Sequence, residues 1–500
     1  MARLAWLAGL SAAVAMAFAC SPRPDADLQT APAATTAATN EPLDQAAAFE
    51  WQPCHREYEC AVLTVPLDYS GAAPGTVDFG VMRWRAADPD ARIGSLVINP
   101  GGPGGSGTDF LRSRSVEGWS ELHQHFDIIG FDPRGVGDDG PAVDCVDDLD
   151  SYFDVADPYS PADEAELIWV TMEFADGCEQ RSGSLLPFLS AEFVARDIDQ
   201  IRIALGDEQI SYLGFSYGTY LGALYAELFP TRVRAMVLDG AVNPALDARE
   251  WQKQQAIGFE TAFNAFAANC DQDPSCQLRE LPGGAARAYD TLMDELQVRP
   301  LPVASRTLGR SEAENGVLVA LYNRGSWPFL ATAIADALEG DGGLLFSMFD
   351  SFVGRDEDGG YNDSTEIYRA VSCVDLAFPT DLAEYAAWAD EFEGVAPRFG
   401  RALAYEHIDC ATWPAPPATV PSITGEGAPP ILIVGTTRDP ATPLIWAQAL
   451  AAQLVSGVLV EVDGDGHTAY GRNDCLTRIV DVYLTELKAP EPRTMCPGES

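Results

Sequence analysis

The chain has 500 residues, of which 47% are hydrophobic, and a net charge of -44 from 75 acidic against 31 basic side chains. That apolar content excludes disorder for most of the length, and the acidity excludes partners held by a basic face, nucleic acid and anionic lipid surfaces among them. The only lysines are Lys253 and Lys488, so the surface reads as strongly solvated, with a field that also favours substrates bearing a free amine.

The N-terminus reads as an export signal. Arg3 supplies the positive start, and residues 4–19 form an apolar run too short to span a bilayer comfortably. The run ends Ala17-Phe18-Ala19-Cys20, small residues before a cysteine, which predicts cleavage after residue 19 and a lipid anchor on Cys20; plain secretion is the alternative, because alanine stands at position 17 where leucine is usual. Residues 21–48, rich in Ala, Thr and Pro, have no apolar period and read as a flexible tether. No later stretch has the length of a membrane-spanning helix, which predicts a globule outside the cytoplasm. Setting Cys20 apart leaves an even number of the 11 cysteines, as an oxidising compartment requires. They fall in neighbouring couples, and proximity suggests Cys54 with Cys60, Cys145 with Cys178, Cys270 with Cys276, Cys373 with Cys410 and Cys475 with Cys496. No Cys-x-x-Cys occurs and the five histidines are scattered, so neither a metal nor another cofactor is expected.

Structure is predicted to begin near Trp51. Apolar runs at 61–67 and 77–84 flank a turn at Gly71 to Gly75, a hairpin pattern. The next strand, 95–98, runs into Asn99-Pro-Gly-Gly-Pro-Gly-Gly-Ser-Gly107, a loop whose bare backbone N–H groups can approach an anion closely. A phosphate loop would need a lysine before its final Ser or Thr, and none is present. The run 126–131 is a buried strand ending at Asp132-Pro133-Arg134, where Arg134 pins the loop or, less simply, touches substrate. Val194, Ile198, Ile201 and Leu205 recur at helical spacing. Then 210–215, a strand, meets Ser216 between Gly214 and Gly218, and a helical pattern starts at once. The strand 233–238 ends at Asp239. From 243 to about 425 the strand-helix rhythm gives way to helical patterns, including Phe259, Phe263 and Phe266 on one face. The rhythm returns with 430–434, which opens into Arg438-Asp439-Pro-Ala-Thr-Pro443, then 458–462, then Asp463-Gly-Asp-Gly-His467, and a last helix at about 476–487. The fold class is α/β, a mostly parallel sheet flanked by helices, with core segments 49–242 and 426–500 interrupted by a helical lid at 243–425.

A strand, one sharp turn and a helix around Gly-x-Ser-x-Gly present a serine hydroxyl over a helix N-terminus, which favours developing negative charge. Ser216 is therefore the candidate nucleophile. It needs a histidine to take its proton and a carboxylate to hold that histidine. Loops after different strands converge on one sheet edge, so His467 and Asp439 can meet Ser216. Asp239 is the rival acid, and His407, His55, His123 and His125 are the rival bases. Gly102, with Gly101 beside it, and the N–H of Tyr217 are the candidate oxyanion donors.

The combination of Asn-Pro-Gly-Gly-Pro-Gly-Gly-Ser-Gly, Asp-Pro-Arg-Gly-Val-Gly, Gly-Phe-Ser-Tyr-Gly-Thr-Tyr-Leu-Gly, Val-Leu-Asp-Gly, Arg-Asp-Pro-Ala-Thr-Pro and Gly-Asp-Gly-His resembles the α/β-hydrolases that include prolyl iminopeptidase and the secreted tripeptidyl aminopeptidases of actinobacteria. The resemblance covers nearly all of the chain from Trp51. It implies the α/β-hydrolase fold and a serine exopeptidase acting on peptides with a free N-terminus, with Ser216 as nucleophile, Asp439 as acid and His467 as base. Asn99-Pro100 stands where the iminopeptidases have histidine before the glycines, which places the chain nearer the tripeptidyl branch. A carboxylesterase is the alternative, and a silent binding protein on the same scaffold a third reading. A charged amine calls for a carboxylate near the scissile bond; Glu260 and Asp375 are the candidates.

Overall fold

The computed structural model describes residues 48–498 apart from 114–118, 138, 154 and 156–157. Cys20, the export signal and the tether through residue 47 lie outside the described residues. The central sheet is built from β1 (Gln52–Cys54), β2 (Tyr58–Pro66), β3 (Thr76–Trp84), β4 (Gly94–Asn99), β5 (Phe126–Phe131), β6 (Ile210–Phe215) and β7 (Val233–Asp239). After a long helical stretch carrying the short pair β8 (Leu301–Val303) and β9 (Arg306–Leu308), it is completed by β10 (Ile431–Arg438), β11 (Gly457–Asp465) and β12 (Thr494–Cys496).

The order is β1-β2-β3-β5-β4-β6-β7-β10-β11-β12. β1, β2 and β3 pair antiparallel and β3 joins β5 antiparallel; every later pair is parallel. The middle strands are apolar without alternation because both faces are covered. In β6, Tyr212 packs into the core on one side of the sheet and Leu213 into the core on the other, and every residue is buried. The chain passes from β4 to β5 on one side, then crosses to β6 on the other. That reversal opens a crevice outside the carboxyl ends of β4 and β6, where a ligand has room.

The sheet follows the sequence pattern, but β10 runs on to Arg438, four residues past the expected end, and the long helix Pro161–Ser182 has no counterpart in it. β12 adds a parallel edge strand after the last helix; three residues are too few for a periodic signal, and the Cys475–Cys496 disulfide fastens them. The insertion contains the β8–β9 hairpin as well as helices. β11 extends through Asp465, so Gly464 and its neighbours continue the strand instead of forming a loop. All five neighbouring cysteine couples are bonded. No helix among the described residues is long and apolar enough to cross a membrane.

Candidate active site

Ser216 sits between β6 and the helix Tyr217–Leu228 with φ 55° and ψ -128°, a conformation that costs a non-glycine residue on the order of 1–3 kcal/mol and persists only where the surroundings impose it. The surroundings do so. Ser216 N–H donates to the Asp239 carbonyl at 2.9 Å. A Cβ on Gly214 would meet the Gly218 carbonyl oxygen at 2.4 Å, and one on Gly218 would meet the Asn99 carbonyl oxygen at 2.7 Å. Only glycine fits at both places, as the turn requires.

The loop after β4 closes over this turn. A Cβ on Gly101 would lie 2.8 Å from Tyr217 N, so loop and helix start touch backbone to backbone. Gly101 N–H donates to Asn99 Oδ1 at 2.9 Å, whereas the N–H groups of Gly102 and Tyr217 have no protein acceptor among the described residues. Two unsatisfied donors on adjoining loops beside a serine form an anion-binding corner.

Asp439 follows β10 and is buried. Its Oδ1 accepts the N–H groups of Ala441 (3.0 Å) and Thr442 (2.9 Å), and its Oδ2 accepts the Thr442 hydroxyl (3.1 Å). His467 Nδ1 lies 2.9 Å from both oxygens and 3.3 Å from Thr442 Oγ1. With Nδ1 engaged as donor, the opposite nitrogen Nε2 is the acceptor. It is buried and without a protein partner among the described residues. The ring lies against the end of β7, where a Cβ on Gly240 would come 3.2 Å from His467 Cε1. The helical insertion holds the loop that carries it. His467 N–H donates to the Tyr322 carbonyl at 2.9 Å, the Tyr322 ring meets the imidazole edge-on at 5.2 Å, and Gly466 pairs with Asn323. Gly466 has φ 99°, and a Cβ there would strike the Tyr322 carbonyl oxygen at 2.7 Å.

Asp239 has a different task from the one its strand-end position suggested. Its carboxylate accepts the N–H groups of Ala469 (3.0 Å) and Tyr470 (2.8 Å), while its carbonyl takes Ser216 N–H, so it ties the serine turn to the histidine loop. Burial raises its pKa. Of the other histidines, His123 stacks on Trp84, His125 reaches the Ala91 carbonyl and His55 is exposed. His407 lines the cleft beside Ser216, but Gln252 donates to its Nδ1 and burial keeps it neutral, with Arg369 adding to the effect. Arg134 is fully buried in a two-pronged pair with Asp197 (2.6 and 2.7 Å) and is a loop anchor.

One cleft gathers Ser216, Tyr217, Gly102, Asp375 and Thr442 and continues under Leu246, Trp251, Tyr368 and Phe378; with its mouth it encloses about 670 Å³. Glu260 is not part of it. Both its oxygens take Arg398, one from the side chain at 2.5 Å and one from the backbone N–H at 3.0 Å, so it has none left for an amine. Asp375 is in the cleft wall, with burial pushing its pKa up to about 7; its oxygens accept Ala191 N–H at 2.8 Å and the Tyr217 hydroxyl. Glu406 is bonded to the lining residue Tyr368, whose OH its Oε1 accepts at 3.0 Å; its Oε2 is buried without a hydrogen-bond donor among the described residues, as are both oxygens of Asp409, and neither residue lines the cleft. Nothing in the sequence marks Glu406 among so many acids. Thr442 was equally hidden, since its part depends on where its hydroxyl lands. Cys373, Asp409 and Cys410 bring ligand-type atoms together, but the Cys373–Cys410 disulfide occupies both sulfurs.

Comparison with known proteins shows the family. Serine protease Hip1 of Mycobacterium tuberculosis is 36% identical over 473 residues, covering 89% of this chain and 90% of its own. Carboxylesterase B of the same species is 36% identical over 453 residues, covering 88% and 86%. Tripeptidyl aminopeptidase of Streptomyces coelicolor is 33% identical over 464 residues, covering 88% and 84%. The profile of the alpha/beta hydrolase fold matches residues 94–473, a span that holds the glycine loop, the Ser216 turn, Asp439 and His467, and the chain belongs to that family.

Proposed function

We propose that the protein is a serine exopeptidase that releases short peptides from the N-termini of its substrates. The observation that carries this is His467: Nδ1 is held on Asp439, and Nε2 is left buried and unpartnered on the strand edge that also presents Ser216. In the reaction, Nε2 takes the Ser216 proton as Oγ attacks the scissile carbonyl, and Asp439 stabilises the imidazolium. The carbonyl oxygen, now negative, is met by Gly102 N–H and Tyr217 N–H. His467 then returns the proton to the departing amine, and water, activated by the same nitrogen, releases the N-terminal peptide from Ser216.

The acyl half of the substrate lies in the cleft under the helices between β7 and β10, which act as the lid. Recognition of the substrate ammonium falls to a carboxylate reached from the cleft, with Asp375 in its wall and Glu406 bonded to the lining residue Tyr368. Mass spectrometry of products from an unblocked peptide library tests the reading: fragments of two or three residues are expected, and an untouched library overturns it. The second reading, a carboxylesterase, is favoured by the apolar wall of Val242, Pro244, Leu246 and Phe378. Turnover of short acyl esters with no hydrolysis of matched unblocked amides would establish it. Five disulfides fit an oxidising compartment outside the cytoplasm. Anchoring through Cys20 belongs to the same proposal; metabolic palmitate labelling that disappears in Cys20→Ser supports it, and labelling of neither form overturns it.

A further inference from the structure

The helix Ser364–Asp375 touches both sides of the anion-binding corner. Near its start, Ile367 is fully buried against the glycine loop: a Cβ on Gly104 would come within 2.3 Å of its Cγ2, and one on Gly135 within 2.9 Å of its Cδ1. At its end, Asp375 accepts the hydroxyl of Tyr217, whose own N–H faces the corner, and also Ala191 N–H at the start of the helix Ala191–Leu205. The helix is itself fixed to the core. Asp363 Oδ2 accepts Gly137 N–H at 2.9 Å, and Glu366 Oε1 accepts the N–H groups of Cys145 (2.8 Å) and Val146 (3.1 Å). The Cys373–Cys410 disulfide secures its last turn. An element so tied is a wall and not a moving cover.

We propose that this helix, although it belongs to the insertion, sets the oxyanion geometry, with Asp375 a positioning residue that acts through Tyr217 and Ile367 one that acts through the loop at Gly104. The inference rests on the reading of Ser216 as nucleophile and Tyr217 N–H as donor. Such donors stabilise the transition state by being aimed before charge develops, so the side-chain tether of Tyr217 fixes the direction of its backbone N–H. Each oxygen of Asp375 already takes a protein donor, Ala191 N–H or the Tyr217 hydroxyl, and the proposal assigns its effect to the reacting oxygen through Tyr217.

The test compares wild type, Tyr217→Phe, Asp375→Asn, the double variant and Ile367→Val, using p-nitrophenyl acetate and an unblocked chromogenic peptide, and measures affinity for a peptidyl trifluoromethyl ketone, whose adduct places an oxyanion in the corner. Tyr217→Phe and Asp375→Asn are each expected to lower kcat roughly tenfold, with KM within about twofold and ketone affinity weakened by the same factor as kcat. The double variant is expected to be no slower than the slower single one, because both cut one tether. Ile367→Val should show the same pattern to a smaller degree. Tyr217→Phe leaves the Asp375 contact with Ala191 in place, so it decides the matter if Asp375→Asn does not fold. Raised KM on the peptide with kcat unchanged, losses that multiply in the double variant, or unaltered kinetics would each overturn the proposal. A wild type active on the ester and inert on peptides removes the peptidase reading while leaving this comparison intact.

Discussion

At the scale of single residues the site is a set of hydrogen-bond assignments, and each predicts a size of effect. Ser216→Ala removes the nucleophile and is expected to lower kcat by about 10⁶ and abolish labelling by a fluorophosphonate probe. Asp439→Asn keeps the shape but lets the wrong imidazole tautomer form, and a loss near 10⁴ is expected. Thr442→Val keeps volume while deleting a hydroxyl that bonds the Asp439 carboxylate and adjoins His467 Nδ1; a loss of about tenfold in kcat with a fall of a few degrees in melting temperature is expected, since a hydrogen bond to a charged group contributes roughly 1.5–3 kcal/mol. Ser216, Asp439 and His467 are legible in the sequence because each follows a strand, and strand ends share one sheet edge. Thr442 and Glu406 are not. A hydroxyl three residues past an acid, or one carboxylate among many, acquires meaning only from the atom it faces. The same reason separates Glu260 from Asp375: residue type gave both a charge, and only contacts show that Arg398 meets the first while the second lies in the cleft wall with neutral donors.

At the scale of elements, the buried strands β4, β5, β6 and β7 were legible to within a residue, since an apolar run bounded by Gly, Pro or Asp has few other readings, while β10 runs four residues further because Gly435 and the threonines after it carry no apolar signal. β12 was not, because an edge strand of this length is defined by its partner β11 and by a disulfide. The helix Ser364–Asp375 was read as part of a lid, and its polar bonds to the loops after β5 are long-range contacts that periodicity cannot carry. Its terminal Asp375 makes stability depend on pH. The folded state raises this carboxyl from 3.8 to about 7, so the native protein holds the proton more tightly than the unfolded chain. The contribution is full below the ordinary carboxylate pKa and is lost as pH rises toward 7. Denaturant titrations of wild type against Asp375→Asn should therefore show the variant gaining relative stability between pH 4 and 7 and no further change above. In the histidine loop, Gly466→Ala forces a Cβ onto the Tyr322 carbonyl at a positive φ. Loss of most activity is expected, with circular dichroism of the sheet retained.

At the scale of the whole molecule, the fold class and the long insertion were legible from the interrupted strand-helix rhythm. The way the insertion contributes to catalysis was not, because it depends on contacts between segments far apart in the chain. The net charge of -44 adds self-repulsion to the folded state. Raising NaCl from about 0.05 to about 0.5 M shortens the screening length and should raise the melting temperature by roughly 2 °C or more, where a neutral surface would show little. The backbone N–H of His467 is held by the Tyr322 carbonyl, the imidazole lies against the Tyr322 ring and the loop is paired with Asn323, both from the middle of the chain, while His467 itself comes near the end. A half-made or half-folded chain therefore has its serine before it has a base in working position. The protein is disarmed by its own order of assembly, and becomes able to cut only when the tail has docked onto a finished middle.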